Sequence, residues 1–369
     1  MKNRLHVYYL LFFFAFSIFA SCKKESAMSI QSSSSQITAD ASTAKIIATP
    51  SAYWDSVFTR YGNGWTGGDI AYSYKLNDGR SVWLFGDSFL DTVYPNRKRP
   101  VNGFIHSVFA TTRSMGDDFT TIVRGTLDNP QTLFPAKEPI QYWSNCAFTN
   151  TAGTKLYVQL VTIKSTGDGG LFGFEVTGNA MGIMNLPDFA LERIISTNNS
   201  GTIDWSSCTY EEGDYVYIYG AESTKYNKYM HVSRRKRNTP FRNVEFYNGT
   251  AWVKDSAQSK RIIGGLSQQY SVFQHKGKYY LLSQGTLLDD DIFMWDAASP
   301  VGPFSNKRHV YKTPQYGGNI ITYNATVHYE FTEGDKLLVG YCTNSFDAKD
   351  LFKSADNYRP YFITIENWQ

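Results

Sequence analysis

Two carboxylates, Asp69 and Asp87, stand at the two ends of the stretch Gly64 to Leu90, GWTGGDIAYSYKLNDGRSVWLFGDSFL. Residues Ile70 to Leu76 alternate in character and are rich in β-formers. Asn77-Asp78-Gly79 is a hairpin turn signal, because Gly takes positive φ at no steric cost. Ser81 to Phe85 then reads as the return strand. A hairpin brings its open ends together, so the two carboxylates are expected close to each other. Paired carboxyls, one protonated and one ionised, are what hydrolysis of a glycosidic bond requires. Taken singly, each Asp also fits a turn or cap beside glycine.

The element that carries this pair recurs. Four later stretches repeat strand, Gly turn and apolar-aromatic strand, beginning at Asn145, Ser207, Tyr270 and Asn324. The turn glycines are Gly79, Gly153, Gly213, Gly277 and Gly334. Third strands follow from Ser107, Leu171, Tyr229, Asp291 and Pro360, and short fourth strands follow four of the five, as at Thr120 and Arg308. Repeats of this kind are the signature of a β-propeller. The expectation is an all-β, five-bladed β-propeller with four-stranded antiparallel blades. The fifth repeat lacks its outer strand, and Lys45 to Phe58 is the natural donor, closing the ring and covering an edge.

Propeller geometry places further chemistry beside the pair. Starts of first strands and ends of second strands share one face of the disc. That face collects Asp69, Asn145, Asp204, Gln268, Gln269 and Asn324 before the first strands. After the second strands come Asp87, Lys164, Glu222, Gln284 and Asn344. Trp65, Tyr142, Trp143, Trp205, Tyr270 and Tyr323 stand nearby. Carboxylates for hydroxyls and aromatic faces for C–H surfaces suit a sugar cleft; the same aromatics also suit packing between blades. Asp69 leads an inner strand and is expected as base or nucleophile. Asp87, Glu222 and Asp204 are the candidate acids, in that order. Trp65, Trp143, Trp205, Asn145, Gln269, Tyr270 and Asn324 are the candidate substrate contacts.

The remaining signals bound the reading. Lys2 and Arg4 precede the apolar run Val7 to Ala20, which is shorter than a spanning helix and reads as a signal peptide over residues 1–21. Phe19-Ala20-Ser21-Cys22 resembles the bacterial lipobox, so Cys22 is the expected lipidation site. Residues 22–48 are poor in large apolar groups and read as a flexible tether, and 49–369 as the propeller. The implied location is a membrane-anchored lipoprotein of the outer membrane, exposed at the surface. A net charge of +3 gives no reason to expect a nucleic-acid partner, and the basic run Arg234 to Arg237 falls at a strand end, where a solvated edge explains it. Cys146, Cys208 and Cys342 are an odd set without metal spacing and read as small buried residues. No cofactor or metal motif is visible, and Asp289-Asp290-Asp291 fits a solvated turn better than a calcium site. A monomer is expected, with a polysaccharide or oligosaccharide as its partner and the membrane reached through the lipid alone.

The stretch Gly64 to Leu90 resembles the opening motif of the domain of unknown function families 4185 and 5005, five-bladed propellers related to arabinanase-like glycosidases. The first of these is similar to endo-D-arabinanases, which cut arabinofuranose polymers. The resemblance implies that Asp69 and Asp87 are the catalytic pair. Ser299-Pro300-Val301-Gly302-Pro303-Phe304 also resembles a segment of glycoside hydrolase family 43. That family's general-acid Glu corresponds to Gln268 or Gln269 here, and its pKa-tuning Asp to Asn145, so the family 43 triad is missing. The function implied is a cell-surface glycoside hydrolase acting on a polysaccharide, with arabinofuranose polymers as one substrate class. The alternative is a non-catalytic glycan-binding surface lipoprotein, favoured by the glutamines.

Overall fold

Five hairpins, each turning on a glycine at positive φ (Gly79, Gly153, Gly213, Gly277 and Gly334), seed five antiparallel sheets. The computed structural model describes residues 45–369 except 102–103, 168–172, 198–201 and 287. The signal peptide, Cys22 and the tether up to residue 44 lie outside the described residues.

Blade one is built on Trp65–Gly68 and Tyr72–Lys75, Ser81–Leu90, Ile105–Thr112 and Thr120–Ile122. Blade two holds Ile140–Thr149, Lys155–Ser165, Phe174–Asn185 and Ala190–Ser196. Blade three runs from Ile203–Glu212 through Tyr215–Ser223 and Lys228–Lys236 to Glu245–Tyr247, with Trp252–Val253 added outside. Blade four comprises Ser271–His275, Lys278–Gln284, Asp291–Ala297 and Ser305–Lys312. Blade five holds Ile320–Val327, Leu337–Ser345 and Pro360–Glu366. Its outer strand is Ile47–Pro50 from the other end of the chain, paired Ile47 to Glu366 and Pro50 to Ile363. The fold is the expected five-bladed propeller, closed by the expected N-terminal strand.

Aromatic side chains fill the seam. A short helix, Ala52–Val57, is capped by Ser51 Oγ and buries Trp54 against Phe331, ring centroids 4.5 Å apart. Asp55 accepts the Phe362 backbone N–H at 2.9 Å, which fixes the helix to the last strand. Trp83, Phe85, Phe58 and Phe362 complete this cluster. Burying one such side chain contributes about 1.5–3 kcal/mol, so the seam is a true core. Cys146, Cys208 and Cys342 are free and buried.

One local irregularity recurs and positions the site. Pairing of the inner strand with its neighbour breaks at the same level in each blade. The register shifts between Ser144 and Ala147, between Asp204 and Cys208, and between Tyr323 and Thr326. In blade four Ser267 N–H reaches Gln284 O, while Ser271 pairs with Leu282, again out of step. Blade one shifts register between Trp65 and Gly67 and then interrupts the ladder, in register, at Ile70 and Ala71, both at positive φ (72° and 49°). Bulges re-aim side chains, and here they turn polar residues into one mouth of the channel.

Candidate active site

Asp69 sits at the blade-one interruption. Its carbonyl accepts the N–H of Ala71 at 2.9 Å and of Gly86 at 3.3 Å, so the turn that follows is held by the residue itself. Left-handed backbone at a β-branched residue such as Ile70 is strained, and such strain collects at functional sites. Asp69 Oδ2 accepts the Tyr323 hydroxyl at 2.9 Å, while Oδ1 is buried without a partner. Burial first, and the charge of Asp87 second, push the Asp69 carboxyl up to about 7, against the smaller effect of Tyr323.

Asp87 lies on the adjacent strand in a different setting. Its Oδ1 accepts the Trp143 indole N–H at 2.7 Å and His106 Nδ1 at 2.5 Å. His106 faces Asp87 in direct register on the third strand of the blade. Burial disfavours the imidazolium, but the hydrogen bond and charge of Asp87 outweigh it, and His106 titrates above its ordinary range. The two carboxyls are therefore neighbours with unlike surroundings: Asp69 is raised by burial against bonds from Tyr323, Tyr358 and the Asp87 backbone, and Asp87 faces Trp143 and His106.

The other candidates divide. Asp204 is in the same mouth but locked: Ser206 donates at 2.5 Å, Asn179 at 2.7 Å and Gln268 at 2.7 Å. Burial still raises its pKa against those three bonds. Gln268 in turn accepts Lys228 Nζ at 2.7 Å, so its amide bridges a carboxylate and an ammonium. Glu222 is a correction. Arg261 grips both its oxygens at 2.6 and 2.7 Å and His231 adds a third contact at 3.1 Å. The Arg261 bonds, ahead of the opposing burial, pull it down to about 2, so it is ionised and paired, the opposite of a general acid.

The expected stacking platforms are corrected too. Trp65, Trp205 and Tyr270 are 0–3 % exposed and pack in the core. Trp65 stacks on Phe85, Trp205 meets Phe246 edge-on, and the Tyr270 hydroxyl donates to Gly220 O. None offers a face to a sugar, because each is enclosed by neighbouring core side chains. Trp143 stays at the mouth as a donor to Asp87, with Phe174 edge-on at 4.5 Å. Asn145, Gln269 and Asn324 are buried. Asn145 donates to Ser206 Oγ at 2.7 Å, Asn324 accepts Ser267 Oγ at 3.2 Å, and Gln269 Oε1 has no partner.

These contacts join all five blades. Trp143 to Asp87 links blades two and one, Asn145 to Ser206 two and three, and Gln268 to Asp204 four and three. Ser267 to Asn324 links four and five, and Tyr323 to Asp69 closes five onto one. Sequence reasoning missed His106 and Tyr358, whose hydroxyl donates to Asp87 O at 3.3 Å. It also missed Phe104, 41 % exposed beside Phe89 and Tyr358. A His two residues past that Phe, opposite Asp87, was the available signal. Asp289, Asp290 and Asp291 bring oxygens within 4.8 Å of one another. Lys312 already pairs with Asp290 and His309 with Asp291.

Over residues 51–368 the sequence matches the family described as Domain of unknown function (DUF5005). The chain belongs to the DUF5005 family. No curated protein matches it. The DUF5005 propeller is similar to the crystal structure of a protein from Bacteroides ovatus ATCC 8483, named there as a putative hydrolase. The two are 20% identical with a TM-score of 0.75, covering 88% of this chain and 91% of that one. At that identity the likeness shows the shared fold. Two others match at a TM-score of 0.48 and carry no argument. One is an exo-β-1,3-galactanase from Phanerochaete chrysosporium, 13% identical over 81% of this chain and 60% of that one. The other is an α-L-arabinofuranosidase from Podospora anserina, 12% identical over 83% and 92%.

Proposed function

We propose that this protein is a glycoside hydrolase acting on a polysaccharide, with Asp69 as general acid and Asp87 as base or nucleophile. The observation that carries the reading is the adjacent carboxyl pair in unlike surroundings. Pairs whose environments separate their proton affinities divide acid and base work between them. Asp69, held up to about 7 by burial and by its neighbour's charge, keeps a proton to give near neutral pH. Asp87 has one oxygen tied by two donors, and among the described residues none donates to the other. This reverses the roles expected from strand position alone, because burial and charge outweigh position.

In the proposed reaction Asp69 protonates the leaving glycosidic oxygen as the C–O bond breaks. Asp87 either attacks the anomeric carbon or takes a proton from the attacking water. Phe104, 41 % exposed against Phe89 and Tyr358, offers an aromatic face suited to a ring's C–H surface. The resemblance of Gly64 to Leu90 to arabinanase-related propellers makes arabinofuranose polymers the first substrates to try. The protein is proposed to work at the outer surface of the cell, tethered by lipid on Cys22. Cys22→Ser is then expected to move it from the membrane to the soluble periplasmic fraction, and unchanged membrane association would contradict the anchor.

The test of function is a panel of arabinans, arabinogalactans, galactans and xylans, read for new reducing ends and for direct binding. Release from one class supports the hydrolase. Binding without release on any member favours the alternative, a glycan-binding protein, for which the amide of Gln268 at the mouth speaks.

A further inference from the structure

His106 and Trp143 reach the same atom, Asp87 Oδ1, from two different blades. What holds them in step is the residue after His106. Ser107 Oγ donates to Tyr142 O at 2.8 Å and accepts the Ser144 N–H at 3.0 Å, gripping the backbone on both sides of Trp143. Ser144 Oγ returns a bond to Phe85 O at 2.8 Å, two residues before Asp87. Ser107 is fully buried and sits at φ +53°, an uncommon conformation for a residue with a side chain. The strained serine and the double grip make one rigid cradle of blade-one and blade-two strands around a single carboxylate oxygen.

The chemistry of the donors then decides which oxygen is free. An indole N–H only donates, so Oδ1 is an acceptor there, and Nδ1–H of His106 fills it from the other side. Among the described residues no hydrogen bond reaches the second oxygen, Oδ2, or His106 Nε2, and the His106 side chain is 27% exposed.

We infer that His106 is a positioning residue of the site: with Trp143 it fixes the Asp87 carboxylate so that Oδ2 alone faces the substrate. The inference rests on the hydrolase reading for its catalytic consequence, and on geometry for the His–Asp coupling. The charged groups acting on the imidazole are Asp87, Asp69 and Glu138, all acidic. They favour the imidazolium, against the burial that disfavours it. A misplacement of about 1 Å in a reacting group costs on the order of 10²-fold in rate, which is the scale expected for losing the cradle.

The experiment uses the full-length protein in detergent with three variants. His106→Ala removes the donor, His106→Asn keeps an N–H near the Nδ1 position without the charge, and Trp143→Phe removes the second donor. On the polysaccharide that the panel identifies, His106→Ala is expected to lower kcat about 10²-fold with KM within about threefold. His106→Asn is expected to recover about tenfold of that loss, and Trp143→Phe to lose about tenfold. A kcat for His106→Ala within twofold of wild type, or no recovery in His106→Asn, would overturn the positioning role. A second readout needs no substrate: the imidazole titration of His106 followed by NMR, assigned by the signal lost in His106→Asn. Its midpoint is expected to fall in Asp87→Asn, and an unmoved midpoint overturns the coupling. If wild type turns over no polysaccharide, the hydrolase reading fails while the titration still decides the coupling.

Discussion

The Tyr323 hydroxyl stands 2.9 Å from Asp69 Oδ2, so the carboxyl of the first blade is held by the last. The contact crosses the seam closed by Ile47–Pro50, and ring closure and the state of the site are therefore linked. A donor favours the ionised carboxylate. Tyr323→Phe is expected to raise the Asp69 pKa further and to carry the alkaline limb of the pH–rate profile upward. A profile that stays in place would show that Asp69 does not set that limb.

Burial of Asp69 also makes the fold pH-sensitive. Its folded value of about 7 lies above the ordinary 3.8, so the folded protein holds a proton that the unfolded chain has released between those values. The contribution is fully present below about pH 4 and is lost as pH rises through 7, at up to about 1.4 kcal/mol per pH unit. Asp69→Asn removes this dependence. Urea unfolding at pH 4.5 and pH 8 is expected to show the variant gaining on wild type at the higher pH; an equal difference at both would contradict it.

Gly86 packs directly against Asp69. A Cβ there would lie 2.7 Å from Asp69 Oδ1 and 2.7 Å from Ile70 Cδ1. Gly86→Ala must displace the carboxyl or the strained turn behind it, at a cost of about 1–3 kcal/mol for overpacking. The measurement is Tm together with turnover per folded molecule, and both are expected to drop. Loss of Tm with turnover unchanged would place the packing strain away from the carboxyl.

Glu222 gives the control. Held by Arg261 and His231, it is expected to matter for stability and not for chemistry. Glu222→Gln should keep kcat within about threefold and lower stability by about 1 kcal/mol, the scale of a partly exposed ion pair. A fall in kcat of a hundredfold would return Glu222 to the candidate acids.

Much of this was legible in the sequence. Five glycine turns between alternating stretches announced five hairpins, and the missing outer strand of the fifth repeat pointed to the N-terminal donor. Asp69 and Asp87 followed from hairpin geometry. What stayed hidden traces to the breaks in the inner strands. Alternation along a strand assigns faces only while the register runs on, and the one-residue shifts after Ser144 and Tyr323 exchange them. Trp205 and Tyr270 pack in the core where an open face was expected. The partners of Asp87 arrive from a third strand and from a neighbouring blade, at separations of 19 and 56 residues. No local pattern encodes such a meeting. The division of roles between the aspartates depends on burial, which spacing does not report.

Asp69 and Asp87 are proposed to break a glycosidic bond together. The most direct test is release of reducing ends by wild type, Asp69→Asn and Asp87→Asn, normalised to folded protein and followed across pH. Each variant is expected to lose about 10²–10⁴-fold in kcat while its fold persists, with the alkaline limb of wild type near pH 7 absent from Asp69→Asn. Variants that turn over substrate at the wild-type rate per folded molecule would contradict it.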